Sequence, residues 1–164
     1  MKILMLIHSL RRGGAERVAL ELAVGLQRLG HKVTIVAWLD VDEYPEARYA
    51  EVSRHYILAS SKYRWIWSIP KSAKVLREII DQFKPDVIQF HTPNVAWLSA
   101  WANTSVRCIH VLHGYGDITR NEGLAARFIR FIHRLIANRI TKCFITVSEP
   151  MRVVAANYYS VDIG

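Results

Sequence analysis

The sequence predicts an α/β fold, a Rossmann-like parallel sheet with helices on both faces. Short, near-continuous apolar runs alternate with amphipathic helical stripes along the chain, the pattern of doubly buried strands joined by crossover helices. The 164 residues suit one domain, and 51% hydrophobic with 22% charged residues is a globular composition. The glycine pair and several histidines stand just after apolar runs, in HSLRRGGAE, HTPNVAW, HGYGDITR and SEP. In such sheets the crossovers are right-handed and ligands sit beyond the carboxyl ends of the strands.

Each element follows from its period. Ile3–Ile7 reads as the first strand. From Ala15 the apolar positions Ala15, Val18, Ala19, Leu22, Leu26 and Leu29 keep helical spacing, with Glu16, Arg17, Glu21, Gln27 and Arg28 opposite, until Gly30 stops the helix. Val33–Trp38 is the second strand. Residues 40–67 read as irregular, apart from a short strand at Tyr56–Leu58. Ser68 and Pro70 open a second helix with the stripe Ile69, Ala73, Leu76, Ile80 and Phe83, and Pro85 closes it. Val87–Phe90 is a strand, 94–103 a helix and Ile109–Leu112 a strand. A helix of about 17 residues starts at Leu124, Phe144–Val147 is the last strand, and Glu149–Tyr158 is a final helix.

The net charge of +8 points to an anionic partner, and its distribution is uneven. Arg127, Arg130, Arg134, Arg139 and Lys142 lie in a stretch from Gly123 to Ser148 without any acidic residue, whereas Asp40, Asp42, Glu43, Glu46 and Glu51 make residues 40–51 acidic. Cys108 and Cys143 sit in strand-like runs without ligand spacing and read as buried free thiols of a reducing compartment. The apolar start is too short for a secretory signal, and no run of about 20 apolar residues spans a bilayer. A cytoplasmic protein is expected, touching membrane only from outside.

Two readings stand open for Gly13-Gly14. Glycines just before a helix either let amides and the positive helix end approach an anion, or make a tight turn with positive φ. A dinucleotide site does not fit. The run is G-G-A-E-R-V rather than G-x-G-x-x-G, it begins well after the strand, and Asp40 alone imitates a ribose-binding acid. His8, His91 and His113 each open a post-strand loop. They read as site residues or as strand-end residues bonded to backbone. Their long separations and the lack of accompanying ligands argue against a metal.

The basic helix LAARFIRFIHRLIANRI sets Arg127, Arg130, Arg134 and Asn138 on one face and Leu124, Phe128, Ile132 and Leu135 on another. It reads either as a sheet-covering helix with a solvated face or as one lying on anionic phospholipid. KYRWIWS, with Tyr63, Trp65 and Trp67 between Lys62 and Arg64, lacks a nucleic-acid module around it. Core or interdomain aromatics are the expectation there, an acceptor-facing or membrane-facing loop is the alternative, and no nucleic-acid partner is expected.

GGAERVALELAVGLQRLGHKVTIV, followed by DVIQFHTP, HVLHGYG and FITVSEPMR, resembles the N-terminal domain of family-4 retaining glycosyltransferases over essentially the whole chain. The resemblance implies one half of a GT-B fold. Residues 1–164 would form the acceptor-side domain, with the donor-binding domain and its E-x7-E motif outside this chain. It also implies transfer from a nucleotide-sugar to a saccharide or lipid-linked acceptor, as in cell-surface polysaccharide assembly, without a metal or other cofactor. Gly13 and Gly14 would lie at the donor diphosphate and His113 near the donor sugar as the catalytic residue. Arg11, Arg12, Glu16, His91, Asn94 and Arg120 would face the acceptor, and Arg127, Arg130 and Arg134 the membrane. The isolated domain, a fragment of a longer enzyme, is expected to be inactive. The alternative is a non-catalytic Rossmann-like module that binds an anionic small molecule or partner.

Overall fold

The computed structural model of the chain describes residues 1–58, 65–114 and 124–160, without the side chains of 65–66, 124–126 and 129–130. The elements in order are β1 (Lys2–Ile7), α1 (Gly14–Arg28), β2 (Lys32–Leu39), a 3-10 turn (Ala47–Tyr49), β3 (Ser53–Leu58), α2 (Trp65–Phe83), β4 (Val87–Phe90), α3 (Val95–Ala102), β5 (Arg107–Leu112), α4 (Leu124–Ile140), β6 (Thr141–Thr146) and α5 (Glu149–Tyr159). The six strands form one sheet in the order β3-β2-β1-β4-β5-β6, and every pairing is parallel.

Strand side chains alternate between faces, and the two cores divide accordingly. Leu4, Leu6, Val36, Trp38, Ile88 and Phe90 pack against Ile69, Ala73, Leu76 and Ile80 of α2 and Val95 and Leu98 of α3. Ile3, Met5, Ile7, Val33, Ile35 and Ala37 face Ala19, Leu20 and Ala23 of α1. A third cluster joins Leu112 at the end of β5 to Ala137 of α4 and to Met151, Ala155 and Tyr159 of α5. The chain runs from β1 outward through β2 to β3, then α2 carries it back across to β4. The order therefore switches between β1 and β4, where such sheets open a crevice at their carboxyl ends.

Helix ends behave as their residues dictate. Gly30 takes φ +83° after α1, and its amide and that of His31 reach back to the carbonyls of Gln27 and Leu26. Lys84, at φ 52°, turns α2 off just before Pro85.

Several expectations need correction. Strand β3 begins at Ser53, and α2 begins at Trp65, so Pro70 lies inside the helix rather than opening it. Proline's φ suits a helix. The cost is one backbone bond near the start, which the burial of Ile69 against the sheet offsets. Strand β6 begins at Thr141, directly after α4. Cys143 is exposed, not buried, because β6 is an edge strand: α5 packs on one side, while α1 covers the other face only near β1 and β2. Trp67 is 84% exposed and so is not a core aromatic, while Lys62, Tyr63, Arg64 and the Trp65 side chain lie outside the described residues.

Candidate functional site

Backbone ladders continue past the strand ends at the carboxyl rim. The amide of His91 donates to Leu6 O (2.9 Å), that of Leu39 to His8 O (2.9 Å) and that of Leu10 to Val41 O (2.8 Å). His8, after β1, and His91, after β4, are thereby held on either side of the switch point. Asn94 Nδ2 lies 2.9 Å from His8 Nδ1 and bridges that crevice. His91 Nδ1 lies 3.1 Å from His113 Nε2, tying the β4 loop to the β5 loop. All three loop histidines thus stand along one rim.

Their surroundings favour neutral rings. His91 is 1% exposed, and burial, then the neighbouring His113, lowers its pKa to about 3. Burial lowers His113, and burial followed by the charge of Arg11 lowers His8. The expectation that His91 faces an acceptor does not fit this burial, since the ring is closed off from solvent and its Nδ1 is engaged with His113. Among the described residues, no three His, Cys, Asp or Glu side chains are grouped to hold a metal.

The glycine turn caps α1 at the same rim. Gly13 is extended (φ −162°, ψ 167°) and neither glycine has positive φ, so the tight-turn reading fails. A Cβ at Gly13 would press on Glu16 Oε2, the far end of a flexible side chain that can swing aside, so neither its backbone angle nor its room demands glycine. The Glu16 carboxylate bends back over the helix start. Burial raises its pKa, against the bond from its own amide. Around Gly14 a Cβ would meet nothing within 4 Å.

The expectation of a free amide at Gly13 is corrected by Tyr44. Its hydroxyl accepts from Gly13 N (3.1 Å) and donates to Gly13 O (2.9 Å). Asp42 accepts from the Tyr44 amide (2.9 Å) and the Tyr56 hydroxyl (2.6 Å) and pairs with Arg54. Burial pushes the Asp42 pKa up, but those bonds together hold it below the ordinary value. The acidic segment is therefore a brace for the glycine turn, which sequence reasoning missed.

A cavity of about 430 Å3 opens at this turn, where Arg12, Arg17 and Arg48 surround Gly13, Gly14 and Tyr44. The guanidinium groups and the positive end of α1 suit an anion, although Glu46 also lines the cavity and Arg48 pairs with Glu21 at 3.0 Å. Arg12 is drawn toward the brace by the carboxylates of Glu43, which accepts from its amide, and Glu46, at 3.5 Å. Arg11 is exposed beside it. A cavity of about 460 Å3 lies at the opposite rim, among Lys2, Lys32, Lys84 and Asp86, where sheets of this type do not bind ligands.

Helix α4 is rotated from the expected setting. Phe128 (65%), Phe131 (47%) and Leu135 (49%) are exposed, and His133 and Ala137 point inward. On that inward side the His133 ring lies near the Pro93 carbonyl, and Ala137 packs against α5. Arg127 is exposed, while Arg134 donates to Tyr158 O (3.3 Å) and lies 5.7 Å from the Phe131 ring. Asn138 donates to Tyr159 O (2.7 Å). The Arg130 side chain and Arg120 lie outside the described residues. Beneath α4, His110 is fully buried among Phe90, His133, Phe144 and Tyr159. An apolar run gave no signal of it.

Among the described residues, no helix is long and apolar enough to cross a membrane. The family model Glycosyltransferase Family 4 matches residues 12–163. No curated protein sequence matches the chain. Solved structures share the fold. Anabaena HepE in complex with UDP has a TM-score of 0.70 at 16% identity, over 96% of this chain and 41% of its own. A glycosyltransferase from Rickettsia africae has 0.65 at 22% identity, over 98% and 40%. UDP-GlcNAc 2-epimerase from Neisseria meningitidis, bound to UDP-GlcNAc, has 0.62 at 15% identity, over 99% and 44%. This chain thus spans less than half the length of each of these proteins.

Proposed function

Because the chain belongs to Glycosyltransferase Family 4, we propose that it is the N-terminal, acceptor-side lobe of a retaining enzyme. That enzyme moves a sugar from a nucleotide-sugar to a saccharide or lipid-linked acceptor. The supporting observation is the shared rim: the glycine turn, His8, Asn94, His91 and His113 all follow the carboxyl ends of parallel strands. The neighbours found with UDP or UDP-GlcNAc make a uridine nucleotide the donor to test first.

The chemistry follows from these residues. Departure of a nucleoside diphosphate builds negative charge on phosphate, which the amides at the start of α1 from Gly14 offset without reorganising, while Arg12 and Arg48 would first have to leave Glu46 and Glu21. His113 hydrogen-bonds the donor sugar as its anomeric carbon gains positive charge. The leaving phosphate takes the acceptor's proton, so this reading needs no carboxylate base. Arg11, Arg12 and Glu16 lie where the acceptor enters. One lobe cannot hold both reactants in register, and positioning supplies much of the rate. Labelled UDP-sugars with saccharide acceptors should therefore give no sugar-specific turnover with this chain, and turnover would overturn that part of the reading.

The second reading, a non-catalytic anion-binding module, draws on the three-arginine cavity. Equal binding of pyrophosphate and UDP-glucose there would favour it, while preference for the nucleotide-sugar favours the first.

The α4 surface supports contact with an anionic membrane at its cytoplasmic face. Exposed Phe128, Phe131 and Leu135 lie beside Arg127 in a stretch without acids, and each basic group near such a surface contributes about 1 kcal/mol. Vesicles rich in anionic phospholipid should pull down the chain, and Arg127→Glu with Phe128→Ser should release it. Binding that ignores both changes would sink the idea.

A further inference from the structure

The two imidazoles that join the β4 and β5 loops need one proton between them. His91 Nδ1 and His113 Nε2 are 3.1 Å apart, their ring centroids 5.3 Å, and their planes 28° from parallel. With both rings neutral, one nitrogen of the pair donates and the other accepts.

The surroundings of His91 choose between the two arrangements. Its backbone is tied to Leu6, its ring is buried, and its Nε2 has no partner among the described residues. If His113 donated, the proton of His91 would sit on Nε2 as an N–H sealed away from water. If His91 donates from Nδ1, its Nε2 is a bare lone pair. Orphaned buried N–H groups are rarer in folded proteins than under-used acceptors. The doubly protonated alternative is opposed by the burial of both rings.

We propose that His91 is a positioning residue: its Nδ1–H donates to His113 Nε2 and holds His113 in the Nδ1–H form, so that His113 offers a hydrogen-bond donor at the rim. The inference rests on the reading of His113 as a ligand-facing group. It makes His113 a donor to a sugar hydroxyl or phosphate oxygen, because the nitrogen that would act as a base is already occupied.

The test uses the 164-residue chain labelled with 15N-histidine, observed by long-range nitrogen–proton correlation near neutral pH. Both His91 and His113 should show protonated Nδ1 and bare Nε2. In His91→Asn, whose amide keeps a donor near the Nδ1 position, His113 should stay in the Nδ1–H form. In His91→Leu it should move toward the Nε2–H form that a free imidazole favours. A proton on His113 Nε2 in the unaltered chain overturns the proposal, as does a tautomer in His91→Leu that does not change. If the variants lose native amide dispersion, the unaltered chain decides alone. UDP-glucose is then added separately. The predicted tautomer without UDP-glucose supports the proposal by itself, and a His113 response at saturating UDP-glucose separately supports it as a donor-sugar contact.

Discussion

Tyr44 and Gly13 are bonded twice, amide to hydroxyl at 3.1 Å and hydroxyl to carbonyl at 2.9 Å. The loop after β2 therefore sets the start of α1, and Asp42 sets that loop through the Tyr44 amide. The glycine turn is held from outside its own segment.

Tyr44→Phe should loosen that turn without emptying the core. Loss of the paired bonds should cost about 1–2 kcal/mol, read as a lower urea midpoint. Hydrogen exchange should speed up at Gly13 and Gly14 more than in β1. Equal protection of both glycines in the variant would contradict the brace.

Acid should unfold the domain unusually early. Burial, the largest cause for each, lowers His91 and His110 to about 3 and His133 to about 4, whereas an unfolded histidine titrates near 6.5, about the ordinary value. Below that value the unfolded chain binds more protons, so stability is whole above it and is lost as pH falls toward the folded values. Each histidine contributes a loss of up to about 1.4 kcal/mol per pH unit. The urea midpoint should drop steeply from about pH 6.5 downward, and His110→Phe should make the slope shallower. A midpoint unchanged between about pH 7 and 5 would contradict this.

The two thiols should behave differently. Cys143 is exposed on the edge strand, while burial pushes the Cys108 thiol up to about 12. A maleimide should modify one site in the native chain and both in urea. Native labelling of Cys108 at a comparable rate would show that β5 is open.

What the sequence disclosed, and what it hid, follows from the range of the forces involved. The alternation of strands and helices, the start of α4 at Leu124 and the stop at Gly30 are local signals, and all appear where the residues place them. The grip of Tyr44 on Gly13 spans 31 residues within a segment of no clear period, and nothing local announces it. The inward side of α4 carries His133 and Ala137, the latter packed on the distant α5, so counting apolar residues named the helix but not that side. The loop histidines were visible as a set. Only the fold pairs His91 with His113 and His8 with Asn94.

On the proposed function, the glycine turn and His113 serve one ligand at the carboxyl rim. Backbone amide shifts of the labelled chain, followed while UDP-glucose is added, are the decisive measurement. Gly13, Gly14, His8 and His113 should move together while Lys32 and Lys84 at the opposite rim stay still. Shifts confined to the opposite rim, or to the glycine turn without His113, would contradict it.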